Sequence, residues 1–196
     1  MNEQEWNRWI DRLIEGDIEA FEVIYSVTKQ KVYGTVSMLV SNREDVNDIV
    51  SNIYCKLWQA LPSYDRTRPF LFWLNGIVIR QVQDWRRQIW RRFRLLERNR
   101  ILDEKRSPDP PDELLIEQER QSELLTLINK MPYKLRVVVI YRYYCHYTNE
   151  DIAELLSIPV GTVKSRNHLA LKQLRRRFGT QLEREGVIEH VYFKRD

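Results

Sequence analysis

Residues 103–113, DEKRSPDPPDE, hold three prolines and almost no apolar group. Proline lacks a backbone donor and pushes its predecessor out of the helical region, so no continuous helix or strand runs through this stretch. Both flanks read as helix. The chain is therefore expected to form two small domains on a tether rather than one core, with boundaries at 1–100, a linker at 101–117, a second domain at 118–180 and a tail at 181–196. A length of 196 residues leaves each unit within the size that still buries a core of its own.

Apolar periodicity supplies the elements. Trp6, Trp9, Ile10, Leu13 and Ile14 recur at helical spacing, and Ala20, Phe21, Ile24, Tyr25 and Val32 do so after a break at Gly16-Asp17. Over 44–60, EDVNDIVSNIYCKLWQA puts Val46, Ile49, Val50, Ile53, Tyr54, Leu57 and Trp58 on one face. Its acidic first turn suits the positive end of the helix dipole. Pro62 and Pro69 bracket a loop, and helix resumes with FLFWLNGIVIRQVQDWRRQIWRR. There Phe70, Trp73, Leu74, Ile77, Val78 and Val82 form an apolar side that fades into arginines. Beyond the linker, Leu114, Leu115, Leu124, Leu125, Leu127 and Ile128 lead to Met131-Pro132, and KLRVVVIYRYYCHY follows as a compact apolar helix. VVVIY imitates a strand, but its length and helical flanks argue against one. The expected fold class is all-α.

Charge is segregated beneath a formal net of only +4. Residues 1–22 carry seven acids against two bases, and 103–123 carry eight against three. WRRQIWRRFRLLERNR at 85–100 has seven Arg against one Glu, and 160–178 has six bases and no acid. Two separate basic stripes point to two contacts with a polyanion.

The second stripe follows a turn. In TNEDIAELLSIPVGTVKSRNHLALKQLRRRF, Thr148 is an N-cap with Asp151 three residues on, and Ile152, Ala153, Leu155 and Leu156 make a short buried helix. Ser157 to Val160 turns the chain. Gly161-Thr162 then opens a helix with Val163, Asn167, Ala170 and Leu174 inward, and Lys164, Ser165, Arg166 and His168 on or beside the outer face. This is a helix-turn-helix pattern, whose second helix enters the major groove N-terminus first. Lys and Arg there contact phosphates or guanine edges, and Ser and Thr bond to either.

Together these residues resemble the extracytoplasmic-function class of the bacterial sigma-70 family over about Gly16 to Phe178, most specifically at IPVGTVKSR, at DVNDIV…LW, and at FLFWL followed by DWRR. The resemblance implies a subunit that directs RNA polymerase core to a promoter and helps open it, without catalysing nucleotide transfer. It places Asp45, Asp48, Ser51 and Asn52 on the helix that grips the clamp helices of the largest subunit. Ser51-Asn52 departs from the usual Gln-Glu. It matches the loop Ser63 to Pro69 to the minus-10 reader of a flipped base, for which Tyr64, Arg66 and Arg68 have suitable chemistry. Asn75, Arg80, Gln83, Arg86 and Arg87 fall on the next helix, where the family contacts the upstream strand; Arg80 stands where Asn is usual. Trp73, on the apolar side, is read as core. Thr162, Lys164, Ser165, Arg166 and His168 fall in the minus-35 major groove, with Asn167 replacing an aliphatic residue on the packing stripe.

Further partners implied by the resemblance are the flap of the second-largest polymerase subunit and an anti-sigma factor. The linker's Asp109, Asp112 and Glu113 would lie in the polymerase's RNA path. Val187, Ile188, Val191, Tyr192 and Phe193 of the tail extend past the resemblance and are open to docking on either domain or on a regulator.

Other classes are disfavoured. Cys55 and Cys145 form no CxxC and have no nearby His pair, so they are read as ordinary half-buried thiols and no metal or cofactor is implied. Three scattered His and no Gly-rich phosphate loop argue against an enzyme or a small-molecule substrate. No apolar run approaches the length of a membrane span, and the expected place is the cytoplasm. The remaining alternative is a dimeric helix-turn-helix regulator acting without polymerase, which leaves the first basic stripe without a purpose.

Overall fold

A computed structural model describes the backbone over residues 1–100 and 121–178, and side chains over 1–94 and 125–176. The chain divides into two compact units, Met1–Pro111 and Asp112–Asp196, so the division falls within the Pro-rich stretch. The linker and the tail, and the residues named in them, lie outside the described residues. Every regular element among the described residues is helical.

The first unit contains α1 (Glu3–Ile14), α2 (Ile18–Leu39), α3 (Arg43–Ala60) and α4 (Phe70–Arg100). Each of the first three starts where a side-chain oxygen takes an orphan amide: Asn2 from Glu5, Asp17 from Glu19 and Asn42 from Glu44. Between α1 and α2 the chain reverses at Gly16, whose φ of +91° a side chain would strain. Arg12 Nε donates to Asp17 Oδ2 at 2.7 Å across that corner.

One stripe from each helix makes the core: Trp6 and Ile10, Ile24 and Leu39, Ile53 and Leu57, Phe70 and Val78 are all buried. Thr28 and Tyr54 share a buried hydrogen bond of 2.8 Å that ties α2 to α3. Burial pushes the Tyr54 hydroxyl up to about 12, so it stays a neutral donor or acceptor. The inward stripes are narrower than the periodicity implied. Ile14, Tyr25 and Trp58 are exposed at the edges of their stripes, although Tyr25 still meets the Tyr54 ring at 4.7 Å and Trp58 the Phe21 ring at 5.7 Å between α2 and α3. Among the described side chains of α4 none after Val82 is buried; Trp85, Ile89 and Phe93 are only half-buried.

The second unit contains α5 (Gln121–Lys130), α6 (Tyr133–Val139), α7 (Asn149–Leu156) and α8 (Val160–Phe178). Residues 135–141 are buried on every side, which is why their sequence imitates a strand although they are helical. The end of α6 widens into a π-turn at 140–144, with the Cys145 amide donating to Ile140 O at 3.0 Å. Arg136 is itself buried, and its Nη1 donates to Asn129 O at 2.7 Å, satisfying a carbonyl in the last turn of α5. The two thiols differ from the half-buried expectation: Cys145 is enclosed beneath this turn and Cys55 is exposed on α3.

A capping box begins α7. Thr148 Oγ1 accepts from the Asp151 amide at 3.1 Å, and Asp151 Oδ2 accepts from the Thr148 amide at 2.9 Å. Thr148→Ala leaves that first turn unsatisfied and is expected to destabilise the second unit by about 1 kcal/mol. Urea unfolding followed by circular dichroism checks this, with an unchanged midpoint contradicting it.

Candidate nucleic-acid interface

In the first unit the loop before α4 is held by aromatic packing. Phe70, fully buried, has Trp6 at 4.7 Å, Tyr64 at 5.8 Å and Trp73 at 6.0 Å between ring centroids. Tyr64 OH donates to Arg68 O at 2.5 Å, and Asp65 Oδ1 accepts from the Thr67 amide at 2.9 Å, so the loop closes on itself. Glu3 Oε2 accepts from the Phe70 amide at 3.3 Å, an N-terminal cap supplied by α1. Arg66 forms an ion pair with Asp11 of α1, whose carboxyl the guanidinium holds below its usual range.

Two of the residues expected at the DNA contact are enclosed. Tyr64 is buried with its ring against Phe70 and Trp73 and braces the loop. Asn75 is also buried, and its Nδ2 donates to Leu71 O at 2.7 Å within α4. The apolar side of α4 is wide enough to take in position 75, a point that charge and spacing did not reveal. Trp73, read as core, is half-buried against Tyr64 at 4.9 Å.

The other expected residues of this group are accessible. Arg66 and Arg68 are exposed on the loop, the latter with its guanidinium 5.7 Å from the Phe72 ring centre. Arg80 and Arg87 are exposed, Gln83 and Arg86 half-buried, and Arg87 pairs with Asp84 one turn away. Arg80, Gln83 and Arg87 lie three and four residues apart, hence on one face. On α3, Asp48, Ser51 and Asn52 are exposed and Asp45 is half-buried. Ser51 Oγ donates to its own helix, at Asn47 O, 2.9 Å.

In the second unit the turn is made by Ser157 in the left-handed region, φ 53°, and by Pro159, whose carbonyl accepts from Thr162 at 2.9 Å. The helix begins at Val160, and Gly161 lies in its first turn with open space where a Cβ would stand. Val163, Ala170 and Leu174 are buried as expected. Lys164, Ser165 and His168 are exposed, and Thr162 and Arg166 half-buried at the margins of that outer face.

Leu169 is the residue that sequence reasoning missed. It stands four residues after Ser165 and is 51% exposed, an apolar side chain in the middle of the basic face. Contact with a thymine methyl is the chemistry such a position offers. Its spacing from Ser165 carried the signal, but leucine reads as core by default. Lys172, Arg175 and Arg176 continue the exposed face.

The family model described as Sigma-70 region 2 matches residues 24–92, and that described as Sigma-70, region 4 matches residues 121–174. The chain belongs to the sigma-70 family. It falls in the extracytoplasmic-function class of these transcription initiation factors. It is 27% identical to the ECF RNA polymerase sigma-E factor of Haemophilus influenzae over 80% of this chain and 86% of that one. It is 26% identical to the ECF RNA polymerase sigma factor SigW of Bacillus subtilis, over 85% and 93% respectively. Its fold is similar to that of RpoE from Bartonella quintana, solved in complex with the anti-sigma factor NepR, with TM-score 0.61 and 18% identity over 80% of this chain and 94% of that one. CnrH, solved with the cytosolic domain of CnrY, gives TM-score 0.60 and 18% identity over 86% and 93%. Among the described residues, no helix of this sigma factor is long and apolar enough to cross a membrane.

Asn167, half-buried on the packing side of α8 of this family member, donates through Nδ2 to Tyr143 OH at a long 3.3 Å, while its Oδ1 is buried without a partner among the described residues. Asn167→Leu removes that orphan acceptor at similar volume and is expected to stabilise the second unit by about 1 kcal/mol. A thermal melt showing a lower midpoint for the variant would count against this account.

Proposed function

We propose that this sigma factor binds RNA polymerase core and reads two promoter elements, the minus-10 with the loop and α4 of its first unit and the minus-35 with α8 of its second. The observation that carries the proposal is the pairing of two outward basic helix faces on two separately folded units. Arg66, Arg68, Arg80, Gln83 and Arg87 supply the first, with Arg86 at its margin. Lys164, Ser165, Arg166 and His168 supply the second, with Thr162 at the helix entry and Leu169 at its centre. Tyr64 and Asn75 support the first face from within.

The core-binding surface on this reading is the outer side of α3. Asp48 and Asn52 share a face there, with Asp45 and Ser51 beside it, and carboxylates at such a surface steer association and set register more than affinity. Phosphodiester synthesis belongs to the polymerase, so the sigma factor catalyses no step of its own, and it works in the cytoplasm beside that enzyme.

An anti-sigma factor is the proposed restraint. Support comes from the solved relatives' complexes and from an uncovered aromatic group on α2 and α3. Phe21 lies 5.7 Å from Trp58 and 6.1 Å from Tyr25, and both Trp58 and Tyr25 are exposed. A patch of this kind suits a protein partner. A pull-down from native cells that returned polymerase subunits alone would refute the restraint.

Run-off transcription with purified core and a pool of host promoter fragments tests the main reading. Protein-dependent transcripts are expected; failure to bind core, with a palindromic duplex shifted by the protein alone, would instead favour a dimeric regulator. Lys164→Ala and Arg166→Ala are each expected to reduce those transcripts about 10-fold or more, in line with ~1–3 kcal/mol per base contact. Undiminished transcription by both variants would remove α8 from promoter reading. Asp48→Lys is expected to slow association with core several-fold at low salt, measured by surface plasmon resonance, with the difference shrinking as salt rises.

A further inference from the structure

Two polar contacts join α1 to the segment that leads into α4. Glu3 accepts from the Phe70 amide, and Asp11 pairs with Arg66. With Asn7 between them, these residues stand four apart, hence along one side of α1. Residues 1–22 carry seven acids against two bases, so an acidic helix stands beside a loop with two arginines. That helix precedes the region 2 match, which begins at residue 24.

The Asp11–Arg66 pair adds only a little to the hold on the loop. The backbone there is already closed by Tyr64 OH donating to Arg68 O and by the Thr67 amide donating to Asp65 Oδ1, with the Phe70 ring packed against Tyr64. The Arg66 and Asp11 side chains are 43% and 54% exposed, and an ion pair so open to water contributes little to stability. What it does is occupy a guanidinium. A carboxylate presents oxygens to the arginine fork as a phosphate does, and so takes the same donors. Arg12, the base next to Asp11 on α1, is committed to Asp17 across the corner, and Arg68 lies with its guanidinium 5.7 Å from the Phe72 ring centre.

We propose that Asp11 is a gate on the minus-10 reader: it holds, on Arg66, the place that a phosphate of the unpaired strand takes, and the strand must displace it. The proposal rests on the minus-10 reading of the loop and adds to it a restraint built into the first unit. A lone phosphate gains little from Arg66, because parting Arg66 from Asp11 offsets the new contact. A strand held at several points makes the exchange. Counterions follow the same logic. An arginine without an acid beside it that neutralises a phosphate adds about one to the salt slope of binding, whereas one that abandons a carboxylate adds less, since salt must then neutralise the carboxylate.

The test uses holoenzyme reconstituted from core and the full chain, on a labelled promoter fragment recovered by the run-off assay and left unpaired over its minus-10 segment. Binding is followed by fluorescence anisotropy across a salt series. Asp11→Asn is expected to bind about two- to five-fold more tightly than wild type, the range that releasing an exposed ion pair allows. Its slope of log affinity against log salt should be steeper than that of wild type. Glu15→Gln, which removes the same charge from the C-terminal end of α1, should match wild type. In an Arg66→Gln background Asp11→Asn should change neither affinity nor slope.

Asp11→Asn binding no more tightly than wild type overturns the gate, and weaker binding makes the pair a brace that the reader needs. An equal gain from Glu15→Gln, or a gain that persists without Arg66, also overturns it, since the effect would then be one of net charge. Failure of the sigma-factor reading itself shows differently, as wild-type holoenzyme would then bind the fragment no better than core alone.

Discussion

Phe70 is the point on which the first unit's geometry depends. Its ring is fully buried between Trp6 of α1, Tyr64 of the preceding loop and Trp73 of its own helix. Aromatic contacts at these separations combine large apolar burial with a preferred ring geometry, so they fix direction as well as proximity. The consequence is that the loop carrying Arg66 and Arg68 and the start of α4 are set by one cluster. Glu3 adds to it by capping α4 and Asp11 by pairing with Arg66, so α1, which precedes the region 2 match, helps hold the loop.

From that anchor α4 runs for 31 residues, and its two ends have different chemistry for a physical reason. Its first half has neighbours to bury against, so Leu74, Val78 and Val82 turn inward. Its second half has fewer, and arginines with long apolar stems and charged heads tolerate that half-exposed setting. The arginine-rich part of α4 thus begins where the core stops. In the second unit the same division occurs around a single helix: Val163, Ala170 and Leu174 hold α8 to the unit, and every base of its described part remains on or at the margin of the free face.

Much of the fold was legible in the sequence. The breaks at Gly16-Asp17 and Pro62–Pro69, the capping box at Thr148 and the turn before α8 are local chemistry, decided by residues within a few positions of one another. Periodicity misled at stripe edges. Ile14, Tyr25 and Trp58 have the right spacing to be core but lie at stripe edges that neighbours cover only in part, and Leu169 has the composition of core on an outward position. The turn expected over Ser157 to Val160 is made by Ser157 in the left-handed conformation, a detail that composition did not single out.

The sequence by itself determined an all-helical chain in two units, the sign and segregation of its charge, and a helix-turn-helix with basic residues leading its second helix. These follow from local propensity and from short-range spacing. Only the tertiary structure decided which polar residues are available. Tyr64 and Asn75 have the chemistry of DNA contacts but are enclosed, Arg66 is engaged by an acid 55 positions away, and Trp90 stands outside with Arg94 stacked upon it. Burial and long-range pairing depend on which surfaces meet when helices pack, and spacing along a single helix carries no information about its neighbours.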